Sequence, residues 1–214
     1  MSIERTISSW LNRYPAIKAV ARLLYVRCFV LIGFRKRETL RTKHKLRLIG
    51  ENNSFFGYYD FNPVRNGQVL YHSTKHNVRE AINQDSTVEV KVESRDGEVV
   101  FSQETGCFNW QQGARANWLS DTAIVFNTVT SDRTKATRVF DIESGVQKDI
   151  EGYHYQNHDH AHLYFLNYHF IGGLRPDYGY FNKVAGDSEP IDEAQEGIYF
   201  SHQDNPNEVR LLLS

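Results

Sequence analysis

The sequence contains little cysteine, which excludes a disulfide framework. Cys28 and Cys107 are the only two cysteines in 214 residues, and this usage is typical of a protein kept in a reducing cytoplasm. Two ordinary buried thiols are a simpler interpretation than a redox pair. The chain also lacks a Walker loop, a dinucleotide fingerprint, a nucleophile elbow and a paired-cysteine zinc signature, which disfavours the standard nucleotide-binding enzymes.

The sequence carries little net charge, because 25 basic residues stand against 26 acidic ones and give a total of -1. That total argues against a protein built to bind nucleic acid, and no stacking or groove-reading motif is present. The charge is unevenly distributed, however. Residues 1–50 hold twelve Lys and Arg and two Glu, a charge of +10, whereas the remainder holds 13 basic and 24 acidic residues, a charge of -11. With 40% hydrophobic and 24% charged residues, the composition predicts a folded globular body.

A long uninterrupted apolar run is also missing. The most apolar segment, residues 16–34, contains Lys18, Arg22 and Arg27. Each charge near the centre of a bilayer costs roughly 2.5 to 3.5 kcal/mol, which disfavours a spanning helix. The segment continues directly into the basic run 35–37 without a small-residue cleavage site, so it does not have the form of a signal peptide.

Residues 1–44 are therefore predicted to form a basic amphipathic helical segment. Such a segment suits the surface of an anionic membrane, where each Lys or Arg adds on the order of 1 kcal/mol. A helix that packs against the following domain is the alternative. The first interpretation predicts a cytoplasmic protein that associates peripherally with the inner membrane.

Residues 45–214 have the pattern of an all-β body. Short apolar runs bounded by Gly, Asn, Asp and Ser are typical of strands, and we find no convincing helical period after residue 50. The predicted strands are Lys45 to Ile49, Gln68 to His72, Thr87 to Glu93, Glu98 to Gln103, Ala114 to Trp118, Ala123 to Asn127, Arg138 to Ile142, Val146 to Ile150, His162 to Asn167, Gly197 to His202 and Glu208 to Leu213.

The strands recur as units of an apolar strand followed by strand, turn and strand, for example around the turns Asp96-Gly97 and Ser144-Gly145. This recurrence favours a partial β-propeller of about three four-stranded blades over a β-sandwich. Propellers typically close with four to eight blades. We therefore expect either a truncated relative of a longer protein or open strand edges covered by self-association or by a partner protein.

Three clusters rich in aromatic and polar residues lie between the predicted strands. They comprise Tyr58, Tyr59 and Asp60 in the first, Asn109, Trp110, Gln111, Gln112 and Arg115 in the second, and Arg175, Tyr178 and Tyr180 in the third. Aromatic faces beside amides and a guanidinium suit a sugar, whose C–H face packs on rings while its hydroxyl or acidic groups pair with polar side chains. The alternative is that each residue belongs to the core or ties loops together.

A histidine-rich stretch offers a candidate site for a divalent metal such as zinc or manganese. His158, His160 and His162 alternate along the chain, so an extended strand would direct all three imidazoles to one side. The stretch lacks the helical spacing of metalloprotease ligands and a second cluster at a fixed distance. Surface histidines on a loop are the alternative interpretation.

The three clusters resemble a group of bacterial propeller proteins with Trp-Asp-like or TolB-like repeats, often encoded among genes for capsule, O-antigen or exopolysaccharide synthesis. The likeness is carried by the string 56–60 with Pro63, by 109–113 with Trp118-Leu119, and by Arg175-Pro176 with 178–180. Asp177 and the preceding histidines depart from the pattern. The resemblance implies a role in surface polysaccharide assembly, and it implies no particular reaction.

The sequence thus leads to three functional hypotheses. The first is a membrane-associated propeller-type protein that binds or processes a glycan or a sugar precursor. The second is a glycan-active enzyme, a glycosyltransferase or a metal-assisted lyase, with Asp60 as the candidate catalytic residue. The third is a non-enzymatic scaffold that docks biosynthetic enzymes at the membrane.

Overall fold

The computed structural model describes residues 20, 23–25, 27, 28, 47, 49, 50, 53–77, 81–157, 162–175, 177–181, 197–202 and 205–213. The chain divides into two compact units, Met1–Arg47 and Leu48–Ser214. In the first unit, residues 20, 23–25, 27 and 28 are helical, and the rest of the predicted basic segment 1–44 lies outside the described residues. No helix within the described ranges is both long and apolar enough to cross a membrane.

The second unit consists mainly of β-strands, as the sequence predicts. In chain order they are β1 (Ser54–Phe55), β2 (Val64–Arg65), β3 (Gln68–Ser73), β4 (Val88–Glu93), β5 (Val99–Thr105), β6 (Asn117–Trp118), β7 (Ala123–Val129), β8 (Lys135–Asp141), β9 (Gln147–Glu151), β10 (His154–Asn157), β11 (His162–Phe165), β12 (Ile198–His202) and β13 (Asn205–Leu213). One short helix, α1 (Tyr168–Leu174), lies between β11 and β12.

The strands form three consecutive antiparallel sheets with simple up-and-down order. The first sheet runs β1-β3-β4-β5, with β2 also paired to β3; the second runs β6-β7-β8-β9, and the third runs β10-β11-β12-β13. Each described strand pair is antiparallel. The all-β class is therefore confirmed.

Alternation of apolar and polar residues explains why these segments form strands. In β4, Val88, Val90 and Val92 are buried, whereas Glu89 and Lys91 on the other face are partly exposed. Residues with a period of two point to opposite faces of a strand, so one face joins a core while the other meets solvent. The register between β3 and β4 places Leu70 opposite Val92, on the buried face.

Apolar side chains fill the two spaces between successive sheets. Between the first and second sheets, Leu70 and Val90 belong to one cluster with Ile124 and Phe126. Between the second and third, Val125 and Ile150 pack with Leu163 and Phe165. A third cluster contains Cys107, Tyr153 and Tyr168, with Tyr180 packed against it. The second sheet is thus buried on both faces.

The outward faces of the first and third sheets differ in chemistry. The first sheet presents Glu89 and Lys91, which form an ion pair at 3.0 Å. The third presents Tyr164 and Phe200, which lie opposite each other across β11 and β12. A groove of about 340 Å³ lined by Tyr164, Ile198 and Leu212 runs along this face. That another copy or a partner covers the open edges remains a prediction.

Several predicted strands differ from the observed ones. Ala114 to Trp118 is strand only at Asn117–Trp118, because Gly113 (φ +60°) and Arg115 (φ +53°) adopt left-handed backbone that interrupts a regular ladder. The sequence missed β1, β2 and β10. Arg47 and Ile49 are not strand residues, and the rest of the predicted strand Lys45 to Ile49 lies outside the described residues.

The expectation that no helix follows residue 50 is wrong at α1. Seven residues with two glycines show no helical period, so the sequence carried little signal for this element. Asn167 caps the helix, since its Oδ1 accepts a hydrogen bond from the Phe170 amide. Gly172 permits close packing, because a Cβ at this position would lie 3.2 Å from the Gly179 Cα.

Candidate functional site

The structure brings the three sequence clusters together. The first two meet at Gly57 and Gln112, where the backbones approach so closely that a Cβ on Gly57 would lie 2.7 Å from the Gln112 carbonyl oxygen. Gly57 also has a φ of +123°, which favours glycine. The Trp118 indole donates to the Pro63 carbonyl at 2.9 Å and holds the same two segments together. The first cluster is therefore fixed against the second by backbone contacts.

The second and third clusters meet through two amide side chains. Asn109 Nδ2 donates to the Tyr178 carbonyl at 3.0 Å, and Gln111 Nε2 donates to Asp177 Oδ2 at 3.1 Å. The Asn109 Oδ1 accepts the amides of Gln111 and Gln112, at 3.1 and 2.7 Å. Asn109 is only 1% exposed, so it shapes and anchors a loop.

Arg115 is buried and forms an ion pair with Asp60, whose carboxylate is partly exposed. Its guanidinium donates to both carboxylate oxygens of Asp60, at 3.0 Å and 3.5 Å. The Arg115 Nε donates to the Tyr155 carbonyl at 2.7 Å, and the guanidinium lies between the rings of Phe61 and Tyr155, 4.4 and 4.5 Å from their centroids. Arg115 is 1% exposed, so these internal contacts occupy the side chain predicted to bind an acidic ligand.

His154 completes this region, which we call the buried junction: Asp60, Phe61, Arg115, His154 and Tyr155. The His154 ring is parallel to Phe61 within 10°, at 6.4 Å between centroids. Burial, followed by the Arg115 charge, lowers the pKa of His154 to about 3. The imidazole is therefore neutral at physiological pH. Because these residues come from segments beside β1 and β6 and from β10, the junction joins all three sheets.

A second buried histidine lies under the second cluster. The Ala114 amide donates to His72 Nε2 at 3.0 Å, which fixes the neutral tautomer with the proton on Nδ1. Burial lowers the pKa of His72 to about 4. A Cβ on Gly113 would lie 2.3 Å from this ring. Sequence reasoning missed both histidines, since an isolated His carries no signal of its burial.

Other residues of the clusters stay at the surface and form a second region, the tyrosine patch. Its members are Tyr58, Tyr59, Gln111, Arg175, Asp177 and Tyr178. Tyr58 and Tyr59 stack at 4.5 Å between centroids, and Tyr59 is 87% exposed. Hydrogen bonding and charge from Tyr59, followed by Tyr178, raise the pKa of Tyr58 to about 12. Tyr58 is therefore a neutral phenol, and its neighbours Tyr59 and Tyr178 come from the first and third clusters.

Arg175 supplies the cation of the tyrosine patch. Its guanidinium lies 5.0 Å from the Tyr178 ring centroid and pairs with Asp177 at 3.1 Å. The Asp177 pKa is lowered chiefly by its hydrogen bond to Arg175. Both side chains are well exposed, at 63% and 45%. An exposed pair of this kind is worth little energetically, so the guanidinium can exchange Asp177 for a ligand at small cost.

The remaining predicted site residues are engaged in packing. Trp110 makes edge contacts with Phe55 and Phe108, at 5.6 and 5.2 Å between centroids. Gln112 is 5% exposed. Tyr180 stacks on Tyr168 at 4.3 Å, and its hydroxyl accepts a hydrogen bond from Asn127 Nδ2 at 2.8 Å.

The described residues do not complete the predicted metal site. His162 faces His202 across β11 and β12, with ring centroids 5.1 Å apart. His158 and His160 lie outside the described residues. In the part of the chain that the structure describes, no three His, Cys, Asp or Glu side chains are grouped to hold a metal ion. A divalent metal at His158, His160 and His162 stays a prediction.

Comparison of the chain with protein-family models, curated protein sequences and solved structures finds no match in any of the three. The geometry of the tyrosine patch and the buried junction therefore carries the functional argument.

Proposed function

We propose that the protein binds a glycan or sugar precursor at the tyrosine patch. The observation that supports this most directly is convergence: the second and third clusters, 66 residues apart at Gln111 and Asp177, meet through a side-chain hydrogen bond. The first cluster joins them through Tyr58, whose pKa responds to Tyr178. Five predicted site residues drawn from all three clusters thus lie together at the surface: Tyr58, Tyr59, Gln111, Arg175 and Tyr178.

The patch offers the groups that a sugar ring needs. The exposed face of Tyr59 and its stacked partner Tyr58 suit the C–H face of a pyranose. The Gln111 amide and the Asp177 carboxylate can pair with hydroxyl groups. Arg175 provides a charge-assisted contact to an acidic sugar or a phosphate.

The sheets support a propeller-type arrangement for this site. Three successive antiparallel meanders follow one another along the chain, each with a path of four strands and the first with β2 added beside β3, as propeller blades do. The first strands of the second and third meanders lie close together, since Asn117 of β6 donates to Asn157 of β10 and Arg115 beside β6 binds the β10 backbone. Asp60, in the segment after β1, pairs with the same arginine. We propose that β1, β6 and β10 are the inner strands of three blades.

The biological setting we propose is cell-surface polysaccharide assembly on the cytoplasmic face of a membrane. The charge of +10 over residues 1–50 supports attachment to anionic lipid. The -11 body would be repelled from the same surface and so would face away from it.

Sugar binding is tested with a panel of neutral and acidic oligosaccharides, by isothermal titration calorimetry. Replacing Tyr59 with Ala should weaken binding by roughly tenfold, in line with the loss of an aromatic hot spot. Arg175→Met should weaken binding of acidic members more than neutral ones. Tyr164→Ala is the control, because Tyr164 lies on the outward face of the third sheet. Unchanged binding in both patch variants would refute the site.

Membrane attachment is tested by flotation with vesicles of 30% phosphatidylserine or phosphatidylcholine alone. We expect the full chain to float only with the anionic vesicles and to be released by salt, because exposed charges are screened within about 10 Å at 0.1 M. A chain lacking residues 1–45 should remain at the bottom of the gradient. Flotation that ignores salt, or persists after the deletion, would contradict electrostatic attachment.

A further inference from the structure

The outer strand of the third sheet leaves one side of its backbone open. Among the described strands, β13 pairs with β12 alone, so it forms an edge of the sheet. At nine residues it is also the longest described strand. In an antiparallel ladder, alternate residues turn their amide and carbonyl groups away from the partner strand. An edge strand of this length can therefore accept a further strand along most of its course.

The side chains of β13 are exposed and mainly apolar. Val209, Leu211 and Leu212 are 44%, 49% and 57% exposed. Glu208 and Arg210 are the only charged residues in the strand. They form an ion pair with each other, and their side chains are 50% and 63% exposed. The charged side chains that usually protect an edge strand from pairing are thus few and of opposite sign.

Two copies of β13 match each other in charge when they pair about Val209. A two-fold axis between antiparallel strands places one residue opposite its own copy, and the residues on either side of it opposite each other. Centred on Val209, Glu208 of each copy lies opposite Arg210 of the other. Opposed side chains have Cβ atoms about 4.5 to 5.5 Å apart, so two ion pairs form across the axis. This register also overlaps all nine residues.

Neighbouring registers are less favourable. A centre one residue earlier or later puts Glu208 or Arg210 opposite its own copy, and like charges directly opposite each other are destabilising. Pro206 has no amide proton to give to a ladder. In the register centred on Val209 it lies opposite Leu212, near each end of the paired segment, so the centre of the ladder keeps its donors.

The outer strands of the other two sheets do not offer this match. In β9 the charged residues are Lys148, Asp149 and Glu151. Lys148 lies on the opposite face of the strand from the two carboxylates, so no two-fold pairing of β9 sets it against them. In β5 the single charged residue is Glu104, which has no opposite charge to meet. Self-pairing with complementary charges is thus a property of β13.

We propose that the protein forms a two-fold symmetric dimer in which β13 of one copy pairs antiparallel with β13 of the other, centred on Val209. The two four-stranded third sheets then form one continuous sheet of eight strands. Backbone hydrogen bonds supply the attraction, as in other cases of strand addition. The ion pairs mainly fix the register, because exposed ion pairs contribute little energy. The dimer does not depend on sugar binding, since no residue of the tyrosine patch lies in β13.

Charge reversal in the full chain tests the pairing. Sedimentation velocity over a series of protein concentrations gives the Kd of the monomer and dimer. We expect Glu208→Arg to raise this Kd by about tenfold or more, because it sets like charges opposite each other on both sides of the axis. The double variant Glu208→Arg and Arg210→Glu should restore the parent Kd, since the exchanged charges again complement each other.

A lysine at the centre of the pairing gives a second test. Val209→Lys places two ammonium groups opposite each other and should also raise the Kd by about tenfold or more. Val100→Lys is the matched control on β5, because Val100 is an apolar residue of an outer strand with a similar exposure of 40%. The control should leave the Kd unchanged.

Disulfide cross-linking tests the register. Cys28 is the exposed native cysteine, so the background is Cys28→Ser. Val209→Cys should give a covalent dimer on mild oxidation, because the Cα atoms of opposed residues lie about 4.5 to 5.5 Å apart, within the range of a disulfide. Leu211→Cys is the control on the same face of the strand. Its two copies are offset by four residues, about 13 Å, and should not cross-link.

The outcomes decide the proposal. A chain that stays monomeric at every concentration, or a dimer that ignores both Glu208→Arg and Val209→Lys, would disprove the pairing of β13. A dimer that dissociates with Val100→Lys instead would place the contact on β5. Cross-linking through residue 211 and not through 209 would overturn the register. Thermal unfolding at a concentration where the parent is monomeric should give the same melting temperature for each variant, which separates loss of the dimer from loss of the fold.

Discussion

The buried junction and the tyrosine patch are built from the same kinds of residue and differ in how fully those residues are used. Arg115 is 1% exposed and binds a carboxylate, a carbonyl and two rings. Arg175 also binds a carboxylate and a ring but is 63% exposed. An arginine saturated by internal partners stabilises the fold, whereas an exposed one is available to a ligand. Burial, rather than residue type, separates the two roles.

We expect the largest effect from acid, which acts on the stability of the protein through its buried histidines. His72 and His154 are neutral in the folded protein, with pKa values lowered from 6.5 to about 4 and about 3 by burial. Below pH 6.5 the unfolded chain takes up protons that the folded chain does not, so stability falls as pH decreases. Between pH 7 and pH 4 the loss should be on the order of 5 kcal/mol.

Urea unfolding at several pH values measures this loss. The double variant His72→Gln and His154→Gln should flatten the profile between pH 6.5 and pH 4, because it removes both groups. A profile as steep as that of the parent would show that other groups control the acid response.

Arg115→Met should lower the free energy of unfolding by up to about 3 kcal/mol, because it leaves the Tyr155 carbonyl without its donor and removes the ion pair to Asp60. Arg175→Met is the matched control on the patch and should change stability by less than about 0.5 kcal/mol. If both variants lost the same free energy of unfolding, burial would not distinguish the roles of Arg115 and Arg175.

Gly113→Ala should destabilise the protein by about 2 kcal/mol, since the new Cβ would meet the His72 ring at 2.3 Å. Gly145→Ala is a matched control, because Gly145 has a similar φ of +70° and a Cβ added there would meet no atom within 4 Å. The control should show only the conformational cost of left-handed backbone, about 1 kcal/mol. Chemical denaturation of both variants gives the difference.

Tyr59→Ala should have the smallest effect on folding, within about 0.5 kcal/mol, because the side chain is 87% exposed. The same variant is expected to lose sugar binding. A fall in melting temperature of more than a few degrees would show that Tyr59 stabilises the fold. Tyr59 would then belong with the residues of the buried junction.

The sequence predicted strands best where one face is buried and the other is exposed. Thr87 to Glu93 matches β4 within one residue, since its alternating valines report the burial directly. It failed at β10, where His154 and Asn157 carry no apolar alternation. It also failed at α1, which is shorter than two helical turns and contains two glycines.

The sequence identified the segments of the candidate site but not which of their residues are buried and which are exposed. Arg115 and Arg175 both lie in clusters with aromatic residues, and nothing local shows that one is enclosed by three sheets. Asp177, regarded as a departure from a family pattern, binds Gln111 and Arg175 within the patch. These roles arise from contacts between residues 40 to 70 positions apart, which local patterns do not report.

The position of Arg115 also bears on the kinetics of folding. Each meander pairs strands that are neighbours in sequence, whereas the contacts of Arg115 span 40 and 55 residues. Closing such long loops costs entropy, so local meanders are favoured to form before the long-range contacts. Interactions that form after the transition state act mainly on the unfolding rate. The ion pair would thus form late in folding. Its loss would shorten the lifetime of the native state and leave the folding rate nearly unchanged.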